Sequence, residues 1–243
     1  MAFHRLVRIA HHLALGSLVA CGSSPKAPPP SPPVHEAHQG HGPGHDHAHA
    51  PLVHRFEDAD RWSKEFDDPA RDAWQKPREV VDAMAIQPGM VVADLGAGTG
   101  YFEPWLSRAT GVTGTVLALD VEPDMVRFLD ARVIREKLPN VKPALVALDD
   151  PKLPEASVDR ILVVDVWHHI QEREAYAAKL RSGLRPGGKV FVVDFKLDAP
   201  HGPPARHRLP PEQLVRELGA AGLTARVLAV ALQDQYIVEG TRP

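Results

Sequence analysis

From residue 77 onward the apolar residues fall into short β-rich runs separated by stretches of helical spacing. Two polar, tryptophan-bearing segments come first and predict helices near 57–66 and 69–75, carrying Trp62 and Trp74. Pro77 opens a further helix to about residue 86, because proline suits a first helical turn. Gln87-Pro88-Gly89 reads as a turn into an apolar run at 90–95. Helices are then predicted near 101–110, 123–137, 171–183 and 210–221. Strands are predicted at 114–120, 141–147, 158–165, 188–195, 223–231 and 234–240. This alternation predicts an α/β fold, a doubly wound seven-stranded sheet that is mostly parallel, with helices on both faces. The last two strands have little more than Gln233 between them, so they are expected to pair as an antiparallel hairpin.

The first fifty-five residues follow a different pattern. His4, Arg5 and Arg8 precede an apolar stretch from Ile9 to Ala20, interrupted by His11 and His12. A basic start followed by a short apolar segment has the form of a signal peptide, too short to span a bilayer. It ends Leu18-Val19-Ala20-Cys21, which resembles the bacterial lipobox. That resemblance implies cleavage after residue 20, acylation of Cys21, and a lipid-anchored protein of the bacterial cell envelope. Residues 21–55 read as a tether. Pro25, Pro28, Pro29, Pro30, Pro32 and Pro33 favour an extended chain, and seven histidines from His35 to His54 follow among glycine and alanine. His45, His47 and His49 are the closest group and could chelate a divalent metal, or the imidazoles could simply titrate in a hydrophilic spacer. The expected organisation is therefore 1–20 signal peptide, 21–55 tether and 56–243 folded domain.

Charge and cysteine count narrow the chemistry. The chain has 28 basic and 31 acidic residues in 243, and that balance argues against a nucleic-acid partner. Cys21 is the only cysteine, which excludes a disulfide framework and a cysteine-based zinc site.

The sharpest local signal is Asp94-Leu95-Gly96-Ala97-Gly98-Thr99-Gly100, an apolar strand ending in an acid and three glycines at alternate positions. Glycines there let the backbone pass close to a ligand, and the helix start behind them offers free N–H groups. A dinucleotide fingerprint would read G-x-G-x-x-G, but Tyr101 stands at its third glycine. The segment resembles motif I of the class I S-adenosylmethionine-dependent methyltransferases, and further motifs follow in order. They are Leu117-Ala118-Leu119-Asp120, Leu148-Asp149-Asp150-Pro151, Val163-Val164-Asp165-Val166-Trp167-His168-His169 and Leu184-Arg185-Pro186-Gly187-Gly188. The resemblance covers about 77–240 and implies a Rossmann-like fold with S-adenosylmethionine as cofactor. By it, Gly96, Gly98 and Gly100 line the donor, Asp94 orients the turn or reaches the methionine amine, and Asp120 accepts the ribose hydroxyls. Asp149, or Asp150 beside it, takes the adenine amine, and Asp165 contacts the methionine end or the acceptor. Residues 56–76 resemble a poorly characterised branch of predicted methyltransferases.

His168 and His169 are candidate catalytic bases; adjacent side chains diverge, so they are not expected to form a metal pair. Tyr101, Trp62 and Trp74 could wall an acceptor pocket or belong to the core. Val121 and Met125 could pack on adenine, and Lys196, His207 and Tyr236 are candidate acceptor contacts. The Asn/Asp-Pro-Pro-Tyr motif of planar nitrogen acceptors is absent after residue 164. A small molecule methylated on oxygen or carbon is the expected acceptor. A lipobox would carry the domain away from any obvious supply of the donor. The alternative expectation is therefore an envelope lipoprotein that binds a nucleoside or metal without turnover.

Overall fold

The central strands are predominantly apolar because both of their faces are covered. The computed structural model describes residues 56–200 and 202–243. The signal segment, Cys21, the tether and His45, His47 and His49 lie outside the described residues. The strands are β1 (Val91–Leu95), β2 (Thr115–Asp120), β3 (Val141–Leu145), β4 (Val158–Val164), β5 (Leu184–Phe195), β6 (Thr224–Val227) and β7 (Gln235–Thr241). They form one sheet in the order β3-β2-β1-β4-β5-β7-β6. The strands β1 to β5 pair in parallel, and β7 pairs antiparallel to both β5 and β6.

The helices are α1 (Ala59–Phe66), α2 (Arg71–Gln75), α3 (Pro77–Ala83), α4 (Glu103–Thr110), α5 (Pro123–Glu136), α6 (Arg173–Gly183) and α7 (Pro211–Ala220). Proline stands in the first turn of α3, α4, α5 and α7, where its missing N–H costs no hydrogen bond. Strand alternation divides the core in two. Ala93, Leu95, Ile161, Val163, Val190 and Val192 pack with Tyr176, Leu180, Leu214 and Leu218 from α6 and α7. Val92, Leu162, Val164, Phe191 and Val193 pack with Val80, Leu106 and Leu129 from α3, α4 and α5. Because β1 lies between β2 and β4, the chain winds outward to β3 and then crosses back. The carboxyl ends of β1 and β4 flank the crevice this reversal leaves, the place where open parallel sheets bind ligands.

Two expectations at the carboxyl-terminal side need correction. Pro186-Gly187-Gly188 does not precede β5 but lies within it, where the pairing with β4 shifts register between Val158 and Arg160. The final hairpin is present, but β6 stops at Val227 and residues 228–234 connect it to β7. That connection folds over the end of β5: Leu232 is buried, and Lys196 Nζ donates to Leu232 O and Gln233 O at 2.8 and 2.9 Å. Its apolar residues satisfy burial as a cover rather than as a strand.

Leu162 is fully buried between Asp94 of β1 and Phe191 of β5 in register. Leu162→Ala should cost about 2–5 kcal/mol of stability, read as a lowered midpoint in urea unfolding. A midpoint within experimental error of wild type would contradict this placement of the core.

Candidate functional site

Gly96 to Gly100 wrap the carboxyl end of β1 before α4 begins. Gly96 and Gly98 sit at φ +72° and +57°. A Cβ on Gly96 would lie 2.3 Å from Val166 Cγ2 across the crevice, so only glycine allows that approach. The N–H groups of Gly96 and Ala97 donate to Leu119 O at 2.8 and 3.1 Å. Gly98 N–H donates to Asp120 Oδ2 at 2.8 Å, and Glu122 N–H donates to Asp120 Oδ1 at 2.9 Å. Asp120 therefore clamps the turn to the tip of β2. Each of its oxygens keeps a second lone pair with which to accept a hydroxyl.

Asp165 directly follows β4 at φ +58°, a left-handed conformation few non-glycine residues adopt, with aspartate among the more tolerant. Its carboxyl accepts from Gln235 Nε2 at 2.5 Å and faces Arg71 at 3.6 Å. His168 lies in a single 3-10 turn, Trp167–His169. Its Nδ1 is 3.0 and 3.1 Å from the two oxygens of Asp194. Asp194 is fully buried near the end of β5 and also accepts Phe195 N–H at 2.8 Å. The His169 ring lies 4.2 Å from that of His168 and 5.9 Å from Phe56, between centroids. Among the described residues no group of three or more histidine, cysteine, aspartate or glutamate side chains is arranged to hold a metal ion.

The amino-terminal helices cover this turn. The Phe66 ring comes within 3.6 Å of where a Cβ on Gly98 would be. Asp67 accepts from Thr99 Oγ1 at 3.1 Å and from Arg132 of α5 at 2.8 Å. The Arg71 guanidinium sits 4.2 Å from the Tyr101 ring centre, and the Tyr101 hydroxyl donates to Asp72. Buried Gln75 donates to Gln235 Oε1 at 2.5 Å, so a chain of amides runs from α2 through β7 to Asp165. Trp62 stacks on Phe66 at 5.4 Å and Trp74 tilts against Phe195 at 5.8 Å, so both build the cover.

Several candidates fall elsewhere. Asp149 is exposed, its carbonyl taking a hydrogen bond from Lys179, while Asp150 accepts Lys152 N–H at 2.8 Å and caps its own loop. Met125 is core and Val121 is partly exposed. His207 ends a short turn at 205–207. Lys196 holds the 228–234 connection, and the Tyr236 hydroxyl donates to Leu209 O at 2.8 Å. Arg71, Gln75, Arg132, Gln235 and Asp194 were missed at the sequence level. Asp194 alone carried a signal, since it stands near the end of an apolar run as Asp94, Asp120 and Asp165 do.

Burial governs the electrostatics. It pushes the Asp94 carboxyl up to about 7, with the Asp120 charge adding to the rise and the Glu103 carboxyl and Arg71 opposing it. Burial likewise raises Asp120, against the backbone N–H groups that it accepts. Asp165 rises to about 7 through burial, although the Arg71 charge works the other way. Burial opposes charging of His168, but its hydrogen bond to Asp194 and the charges of Asp194 and Asp165 prevail and raise it. The crevice is thus lined with acids short of solvation, and it can stabilise a positively charged ligand.

Between its unfolded and folded values, Asp165 binds its proton in the native chain and not in the unfolded one. The stability linked to that proton is complete below the ordinary carboxylate range and is lost as pH rises through about 7. Asp165→Asn should therefore melt higher than wild type at about pH 8 and close to it at about pH 4.5. Calorimetric melting across that range checks the sign; parallel wild-type and variant curves would contradict it.

Residues 92–188 match the family model described as a methyltransferase domain. A ubiquinone/menaquinone biosynthesis C-methyltransferase of Shewanella pealeana is 28% identical over 120 residues, 49% of this chain and 47% of the relative. The corresponding protein of Burkholderia vietnamiensis is 31% identical over 112 residues, 45% of each chain. This chain spans about half the length of the curated relatives it matches. A solved structure of a SAM-dependent methyltransferase from Aquifex aeolicus superposes with a TM-score of 0.71 at 27% identity, over 76% of this chain and 99% of the other. Sequence match, sheet order and glycine turn agree: residues 92–188 are similar to a methyltransferase domain, and the fold is similar to that of a solved S-adenosylmethionine-dependent methyltransferase.

Proposed function

We propose that the chain transfers a methyl group from S-adenosylmethionine to a carbon or oxygen of a small-molecule acceptor, from a domain tethered to a bacterial envelope membrane through lipidated Cys21. The observation that carries the catalytic part is the meeting of buried acids with the glycine turn at the crevice between β1 and β4. S-adenosylmethionine bears a sulfonium and an ammonium, and buried Asp94 and Asp120 with half-buried Asp165 line the crevice with groups that can take the opposite charge. Gly98, whose Cβ position faces only the edge of the Phe66 ring, leaves a backbone surface against which a ligand can lie once Phe66 lifts away. The donor set therefore fits the cofactor.

Bound there, S-adenosylmethionine supplies a methyl group already activated by its sulfonium. The protein's part is to hold the acceptor in line and to take its proton. Asp120 would hold the ribose and Asp165 the methionine amine. Asp194 holds the His168 ring by Nδ1, which leaves Nε2 to receive the proton that an oxygen acceptor loses before transfer or a ring carbon loses after it. The curated relatives are by name C-methyltransferases, which supports the carbon reading within this class. The membrane tether rests on the lipobox pattern and on Cys21 being the only cysteine. Among the described residues no helix is long and apolar enough to cross a membrane.

In titration calorimetry the full chain should bind S-adenosylmethionine and S-adenosylhomocysteine, and NAD far more weakly. Asp120→Ala should lower affinity for both nucleosides by roughly tenfold to a hundredfold, the value of a charge-assisted hydrogen bond. NAD binding as tight as that of S-adenosylhomocysteine would overturn the cofactor assignment. Cys21→Ser, expressed in a bacterium, should remain unprocessed and leave the membrane fraction. Identical soluble, full-length wild type and variant would remove the case for the anchor.

A further inference from the structure

Glu217 of α7 is used by none of the roles above, yet the turn that carries His168 is fastened to it. It is buried, and three donors converge on its carboxyl. Trp167 Nε1 donates to Oε2 at 2.8 Å, and Arg173 Nε and Gln213 Nε2 donate to Oε1 at 2.8 and 2.9 Å. Trp167 is the first residue of the 3-10 turn and is fully buried, and Arg173 opens α6 beyond that turn. We propose that Glu217 is a positioning residue for His168: it anchors the turn from α7, so that the imidazole keeps Nδ1 on Asp194 and Nε2 as its proton-accepting atom.

The proposal rests on the methyltransferase reading, in which His168 takes the acceptor's proton, and adds the residue that fixes the direction of that imidazole. A single 3-10 turn holds little by its own backbone. Here His169 N–H donates to Val166 O at 2.9 Å and Ile170 N–H to Trp167 O at 3.2 Å, and no side chain caps the start of the turn. Side chains supply the remaining ties: His168 to Asp194, Trp167 to Glu217, and Arg173 Nη1 to Ile170 O at 3.1 Å. The last two both depend on Glu217, because the same carboxyl holds the Arg173 guanidinium by Nε. Successive side chains of such a turn point about 120° apart. Trp167 packs in the core with Tyr176, Leu180, Leu214 and Leu218, and its hydrogen bond to Glu217 fixes which way the indole edge faces. Fixing that residue sets the direction of the next one, His168, toward Asp194 of β5. The electrostatics run the same way. Burial and the Arg173 charge oppose protonation of His168, while the Asp194 bond and the charges of Asp194 and Asp165 favour it. By pairing with Arg173, Glu217 weakens one of the opponents.

The test is nitrogen NMR of the histidine side chains of the full chain at about pH 9, above the usual imidazole range. The His168 signals are identified by their loss in His168→Gln, and S-adenosylhomocysteine affinity is measured on the wild type and on each Glu217 variant. Wild type should show His168 as a single tautomer with the proton on Nδ1, the one that the Asp194 bond selects. Glu217→Leu, which holds neither Trp167 nor Arg173, should lose that single tautomer and give an averaged imidazole. It should bind S-adenosylhomocysteine as wild type does, because Asp120 and the glycine turn are untouched. Glu217→Gln keeps an acceptor for Trp167 Nε1 and should restore the Nδ1 tautomer. An averaged imidazole in wild type overturns the proposal, and so does a Glu217→Leu chain that keeps the wild-type tautomer. Loss of the tautomer together with S-adenosylhomocysteine binding in Glu217→Leu also overturns it, since the residue then supports the fold at large. If Glu217→Leu does not fold, Trp167→Phe breaks the same bond without altering a charge and is read in its place. A wild-type chain that does not bind S-adenosylhomocysteine sinks the methyltransferase reading and the role of Glu217 with it. Binding with an imidazole that Glu217→Leu leaves unchanged sinks the proposal alone.

Discussion

A parallel sheet covered on both faces has one place to put its polar groups, the edge where the strands end. Asp94, Asp120, Asp165 and Asp194 stand at or next to the carboxyl ends of β1, β2, β4 and β5, because the faces of those strands are filled by two apolar cores. Everything at the site follows from this crowding. The acids lack water, so they take backbone N–H groups, arginines or a histidine as partners. The reversal of strand order between β1 and β4 opens the crevice into which they point.

Each acid settles this shortage of solvation differently, and the difference separates their roles. Asp120 is satisfied by the Gly98 and Glu122 N–H groups and so shapes the turn. Asp194 is paired with His168 and fixes an imidazole. Asp165 is held by Gln235 and faces the Arg71 of the amino-terminal cover. Asp94 is buried, and burial raises its carboxyl above the usual carboxylate range. The cover is bound by the same groups it shields: Arg71 answers Asp165, and Asp67 bridges Thr99 and Arg132. Opening the crevice to a charged ligand thus exchanges one set of counter-charges for another, without exposing bare carboxylates.

Element order, sheet class and the position of the glycine turn were legible in the chain, because they depend on local properties: alternation, helical spacing, proline at helix starts and an acid ending an apolar run. Asp120 and Asp165 could be placed at strand tips for that reason. The register bulge at Pro186-Gly187-Gly188 and the folded-over connection at 228–234 were not legible. Proline, glycine and apolar residues are compatible with a turn, a bulge or a buried cover, and the choice depends on what lies opposite. The same limit applied to the partners of the acids. Gln75 meets Gln235 across 160 residues of sequence and Arg132 meets Asp67 across 65. The sequence by itself determined which side chains would be driven to the sheet edge, because burial preference is a property of each residue. Only the tertiary structure decided which of them meet, because those energies depend on distances that chain folding alone sets.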